Sequence, residues 1–153
     1  MNYETLLMSK EAENIEVIDR CFNSNNIRGL YCNGTIALKK GMTSTEKACV
    51  LAEELGHHHT TVGNILDQSI AENRKQERRA RLWAYKKAFD LIDLVSAYKH
   101  GCRNRYEIAE FLEVTEQFLQ EAINTYKGIY GAYTTVDQYV VYFEPLGILK
   151  VYK

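Results

Sequence analysis

The densest chemistry in the chain lies in Glu53-Glu54-Leu55-Gly56-His57-His58-His59. On a helix, residues four apart share a face and stand about 6 Å from each other. Glu53 and His57 therefore project side by side and can chelate one cation. Glu54 is rotated by about 100° and falls beside that cation rather than on it. This is the H-E-x-x-H arrangement, in which two helix residues bind a metal and the intervening glutamate acts as general base, with a glutamate in place of the first histidine. Glu54 and His58 are also four apart. In that register the base position is Leu55, which cannot move a proton, so the Glu53/His57 register is preferred. A catalytic zinc needs three protein ligands and an open position. The candidate third ligand is Glu77, 20 residues after His57 on the next expected helix, where a helix hairpin brings such positions together. His58, His59 and, more weakly, Tyr85 are candidates to polarise a scissile carbonyl or stabilise its oxyanion. The competing interpretation is a solvated, charge-rich helix face whose histidines bind metal only adventitiously.

The elements that must position these residues follow from pattern. Thr43-x-x-Glu46 is a capping box opening a helix that runs to about His59, with Ala48, Leu51, Ala52 and Leu55 as its buried stripe. Val62-Gly63-Asn64 ends that segment. A second, charged helix is expected from Ser69 to Lys87, with apolar contacts at Ala80, Trp83, Ala84 and Ala88. Upstream, residues 3–23 read as an amphipathic helix, with Leu7, Ile15, Ile18 and Phe22 on one face. Gly29 to Lys39 reads as a hairpin turning at Asn33-Gly34. Downstream, helices are expected at Asp90–His100, stopped by Gly101, at Arg105–Leu112, and at Glu116–Tyr126, capped by Thr115. Residues 139–143 and 148–152 read as strands about a turn at 144–147. The fold class is α+β and mostly helical: a zincin-like metal helix pair, a small antiparallel β hairpin in the N-terminal half and a C-terminal β hairpin. Residues 1–130 are expected to form the functional domain, with 131–153 a β extension of it.

Composition narrows the classes. The chain has 153 residues, 46% hydrophobic and 25% charged, with a formal net charge of -1. That balance suits a globular domain and makes no global case for nucleic acid. No stretch approaches the roughly 20 apolar residues of a membrane helix, and Met1-Asn2-Tyr3-Glu4 opens no secretory signal. Cys21, Cys32, Cys49 and Cys102 form no C-x-x-C pair, which reads as reduced, mostly buried thiols in a cytoplasmic protein rather than a zinc ribbon or a disulfide framework. Arg74, Lys75, Arg78, Arg79, Arg81, Lys86 and Lys87 make a basic helix, read as a solvated face paired with acidic neighbours. Residues 107–123 have a helix-turn-helix pattern, but Glu107, Glu110, Glu113, Glu116 and Glu121 oppose approach to phosphates, so helical packing is preferred to specific DNA binding.

The Leu51-Ala52-Glu53-Glu54-Leu55-Gly56-His57 block, joined to Glu77-x-x-Ala80-x-x-Trp83-Ala84, resembles the ImmA/IrrE family of zinc metallo-endopeptidases of prophages and mobile elements. The Gly29-to-Leu38 hairpin and the Glu107-to-Val114 segment are similar as well, and the resemblance spans most of residues 1–127. It implies cleavage of a helix-turn-helix repressor, with Glu53, His57 and Glu77 holding one divalent metal and Glu54 as base. Glu53 departs from the commoner histidine. Two carboxylates formally neutralise a divalent cation, whereas two histidines and a glutamate leave one positive charge. A carboxylate-richer site tilts toward harder cations such as Mn²⁺, with zinc still the first choice. Two alternatives stand beside the peptidase: a non-catalytic regulator that binds the repressor without cutting it, motivated by Glu53, and a DNA-binding accessory protein using the 103–126 helices.

Overall fold

The computed structural model describes residues 1–60 and 70–151. The chain forms two compact units, Met1–Lys87 and Ala88–Lys153.

The first unit begins with a short helix, α1 (Tyr3–Leu7), capped by Asn2, whose side chain accepts from the Glu4 and Thr5 amides. A single 3-10 turn follows at Lys10–Ala12, and then a strand, β1 (Glu16–Arg20). The expected helix over 3–23 is therefore corrected to a helix of one turn and a strand. Asn14 adopts a left-handed conformation that ends helical winding. Beyond it, Val17 and Ile18 are β-branched and prefer extended backbone, where a partner strand takes up their amides and carbonyls. That partner is β3 (Thr35–Lys39), to which β1 runs parallel, Glu16 opposite Thr35 and Arg20 opposite Lys39. The expected hairpin is present: β2 (Gly29–Cys32) pairs antiparallel with β3 around Asn33-Gly34, both with positive φ. The sheet order is β1-β3-β2, so it is mixed, and β2 lies at an edge.

Helix α2 (Ser44–Thr60) starts where the capping box placed it. Thr43 Oγ1 accepts from the Glu46 amide at 3.1 Å and donates to Glu46 Oε1 at 3.2 Å. Ala48, Leu51, Ala52 and Leu55 are all but fully buried. The expected stop at Val62-Gly63-Asn64 lies outside the described residues, as does Ser69. Helix α3 (Ile70–Ala88) follows, with Ala80 and Ala84 buried. Its basic side chains are largely exposed. Lys75 pairs with Glu72, Arg81 with Glu77 and Lys87 with Glu11, which fits a solvated face.

In the second unit, α4 (Leu91–His100) is closed by a full capping box at Asp90 and Asp93 and stopped by left-handed Gly101. Helices α5 (Arg105–Leu112) and α6 (Glu116–Tyr130) follow, the latter one turn longer than expected and capped by Thr115. Ile108, Ala109, Leu112, Val114, Phe118, Leu119 and Ile123 are buried, so the helix-turn-helix pattern records packing. The tail forms a three-stranded antiparallel sheet, β4 (Tyr133–Val136), β5 (Tyr139–Phe143) and β6 (Leu146–Lys150), in that order. Strand β4 was not expected. Among the described residues no helix is long and apolar enough to cross a membrane. The four cysteines form no disulfide, and Cys21 and Cys32 are exposed rather than buried.

Candidate functional site

All the candidate residues fall in the first unit, on α2 and α3. Helix α2 meets α3 at Gly56. A Cβ there would lie 2.2 Å from the Ala80 carbonyl oxygen, so only glycine allows the two backbones this close. The crossing brings together residues on either side of it. His57 Nε2 lies 3.1 Å from Glu77 Oε2. The other carboxylate oxygen of Glu77 accepts from Arg81 Nε–H, also at 3.1 Å. Glu53, one turn before His57, is half-buried and acts electrostatically on both His57 and Arg81.

The adjacent stripe of α2 faces β2 instead. Glu54 packs against Gly29, where a Cβ would meet Glu54 Cγ at 3.1 Å and Oε1 at 3.2 Å. One turn later, His58 Nδ1 is hydrogen-bonded to the Tyr31 hydroxyl at 2.7 Å. His59 Nε2–H donates to the Glu11 carbonyl at 2.7 Å, and its ring stacks on Trp83 with centroids 5.0 Å apart. Tyr85 is buried on α3, and its phenol acts electrostatically on Arg81.

These surroundings set the protonation states. Burial pushes the Glu54 carboxyl up from its ordinary 4.5; positive charge on His57 opposes this and Glu77 adds to it. His57 is raised above its ordinary 6.5, chiefly by its hydrogen bond to Glu77 and against the effect of burial. Glu77 is lowered from 4.5, first by that same bond. Burial, then His59, lowers His58, which favours the neutral ring. In the metal-free protein, the raised His57 contributes stability that is complete below 6.5 and lost as pH rises through its folded-state value. The lowered Glu77 contributes stability present above 4.5 and lost as pH falls. The pair is thus fully effective only between those limits.

The donors suit a small divalent cation. Two ligands each about 2.0–2.1 Å from a tetrahedral centre stand roughly 3.3–3.4 Å apart, close to the His57–Glu77 separation of 3.1 Å. Among the described residues no three His, Cys, Asp or Glu side chains are already gathered closely enough to enclose a metal. The pair is formed, and further carboxylates stand within electrostatic reach.

Gly29, Tyr31 and Gly56 have no chemical role that spacing announces, and Arg81 figures in the sequence only as part of the solvated basic helix. Gly56 had a readable signal, since a glycine in a helix interior is about 1 kcal/mol worse than alanine and usually answers a packing demand. Gly29 and Tyr31 are brought in by tertiary contact, whereas Arg81 lies four residues after Glu77 on α3, a spacing the sequence shows.

The first unit thus holds a carboxylate–imidazole pair on two helices that cross at a glycine. The IrrE N-terminal-like domain of the M78 peptidase family matches residues 10–124, and the chain belongs to that family, the ImmA/IrrE family. Neither a curated protein nor a solved structure matches the chain. Membership makes this a metallopeptidase-type domain, of a generally metal-dependent family whose substrates are proteins.

Proposed function

We propose that this chain is a metal-dependent endopeptidase that hydrolyses a peptide bond in a helix-turn-helix transcriptional repressor, as a cytoplasmic protein of a prophage or mobile element. The observation that carries the reading is the position of Glu54: it is half-buried against Gly29 and within electrostatic range of His57 and Glu77. Glu53, His57 and Glu77 would hold the metal, zinc first and manganese second. When bound, the metal supplies Lewis-acid polarisation of the scissile carbonyl and of the attacking water. Glu54 accepts the proton from that water and returns it to the leaving amine. Burial raises its proton affinity, which favours taking up that proton. His58, tied to Tyr31, and His59, tied to Glu11 and Trp83, line the same end of α2 and are candidates to contact the substrate carbonyl. The chain is not expected to bind DNA specifically by itself, because the helix-turn-helix pattern is spent on packing.

The test is Glu54→Gln, assayed against the repressor encoded beside this gene. The variant should keep its zinc content and fold and lose cleavage by about 10²- to 10⁴-fold. Undiminished cleavage would remove Glu54 as the base. A wild-type chain that binds the repressor and never cuts it would favour the non-catalytic regulator.

A further inference from the structure

Glu77 divides its carboxylate between two neighbours. Oε2 faces His57 Nε2 at 3.1 Å, and Oε1 accepts from Arg81 Nε–H at 3.1 Å. Arg81 lies one turn after Glu77 on α3, so both side chains rise from the same face of one helix. Its side chain is 54% exposed, so no packing demand explains a guanidinium here. We propose that Arg81 is a positioning residue that determines metal selectivity, by engaging one oxygen of Glu77 and leaving a single oxygen for the cation.

The inference rests on the metal reading proposed above. Its physical content is a restriction on coordination. Zinc settles for four ligands, one oxygen from each carboxylate, whereas larger and harder cations gain from additional oxygens, including both oxygens of one carboxylate. With Oε1 held by Arg81, Glu77 offers one oxygen, a penalty for Mn²⁺ and none for Zn²⁺. Arg81 also bears on Glu53. It stands within electrostatic range of that carboxylate as well as of Glu77. The ligand set Glu53, His57 and Glu77 carries two negative charges and neutralises a divalent cation. The fixed charge of Arg81 returns the centre to a net positive charge, that of a site with two histidines and one glutamate. The glutamate at position 53 and the arginine at position 81 therefore read as a matched pair, which offsets the tilt toward hard cations that Glu53 alone would bring.

The experiment is a pair of competition titrations of metal-free full-length protein against a chromogenic chelator, one with ZnCl₂ and one with MnCl₂. The proteins are wild type, Arg81→Met, Arg81→Ala and Arg81→Lys, with His57→Ala as the reference for loss of the site. Arg81→Met and Arg81→Ala should each lower the ratio of zinc to manganese affinity by about tenfold, and Arg81→Lys should keep it within about threefold of wild type. Circular dichroism checks the fold, and either neutral variant suffices. Neutral variants that keep the wild-type ratio while His57→Ala loses both metals would overturn the role of Arg81 and leave the metal site standing. A wild-type chain that binds neither metal, or an unaffected His57→Ala, would overturn the metal reading itself and this inference with it.

Discussion

Replacing Gly56 by alanine sets two known effects against each other, and the structure decides which wins. In an ordinary helix the change stabilises by about 1 kcal/mol, because alanine loses less backbone freedom on folding. At Gly56 the new Cβ would stand 2.2 Å from the Ala80 carbonyl oxygen, 2.9 Å from its carbon and 3.2 Å from its Cα. A carbon rarely approaches a carbonyl oxygen closer than about 3.3 Å, so the helices must separate by roughly 1 Å. All three contacts are backbone atoms, and no side chain can rotate away. Overpacking of this kind costs about 1–3 kcal/mol, which leaves a net destabilisation of up to about 2 kcal/mol. For a chain of this size that lowers Tm by up to about 8 °C. The same displacement would carry His57 and Glu77 from 3.1 Å to about 4 Å, beyond hydrogen-bonding distance. Gly128, in α6, is the internal control: a Cβ there meets nothing within 4 Å, so Gly128→Ala should stabilise by up to about 1 kcal/mol. Urea denaturation of the metal-free proteins, with zinc affinity measured alongside, reads both signs. Gly56→Ala at least as stable as wild type, with zinc affinity unchanged, would refute the close crossing.

Because His57 gives up a proton to bind a metal while its raised proton affinity favours the metal-free protein at low pH, the rise in Tm on adding ZnCl₂ should be small near pH 5.5 and large near pH 8. Differential scanning fluorimetry across that range checks it, and a shift that shrinks with rising pH would contradict the assignment. Tyr126→Phe should destabilise the protein by about 1 kcal/mol, since the buried phenol donates to the Phe89 carbonyl at 2.6 Å. Equal stability of that variant in urea would mean that the carbonyl finds another donor.

Local signals carried the sequence interpretation where one element answers to itself. The capping residues Thr43 and Thr115, the stripe Ala48-Leu51-Ala52-Leu55, the Asn33-Gly34 turn and the stop at Gly101 are matters of backbone and period within a few residues. The stretch after Asn14 failed because Ile15, Ile18 and Phe22 satisfy a helical period by coincidence. Their neighbours are stabilised by a parallel partner, β3, that no local pattern announces. Strand β4 failed for a similar reason: Tyr133–Val136 alternates weakly and owes its conformation to β5.

The candidate site divides along the same line. The i, i+4 spacing offered two pairs on α2, Glu53/His57 and Glu54/His58, and a chemical argument about Leu55 chose between them. The structure gives each pair a different neighbour. Glu53 and His57 face α3, with Glu77 and Arg81, whereas Glu54 and His58 face β2, with Gly29 and Tyr31. A single helix thus presents one stripe to a partner helix rich in charge and the next to a sheet edge. The two stripes differ by about 100° of rotation, a difference carried by one residue of register. Spacing alone lists both pairs; the neighbours supply the asymmetry. On the α3 side, a carboxylate meets an imidazole with a guanidinium behind it. On the β2 side, a half-buried carboxyl meets a glycine backbone in the edge strand of the sheet. Gly56 belongs to neither stripe. Its missing side chain lets α2 approach the Ala80 carbonyl of α3, and with that approach His57 comes within 3.1 Å of Glu77.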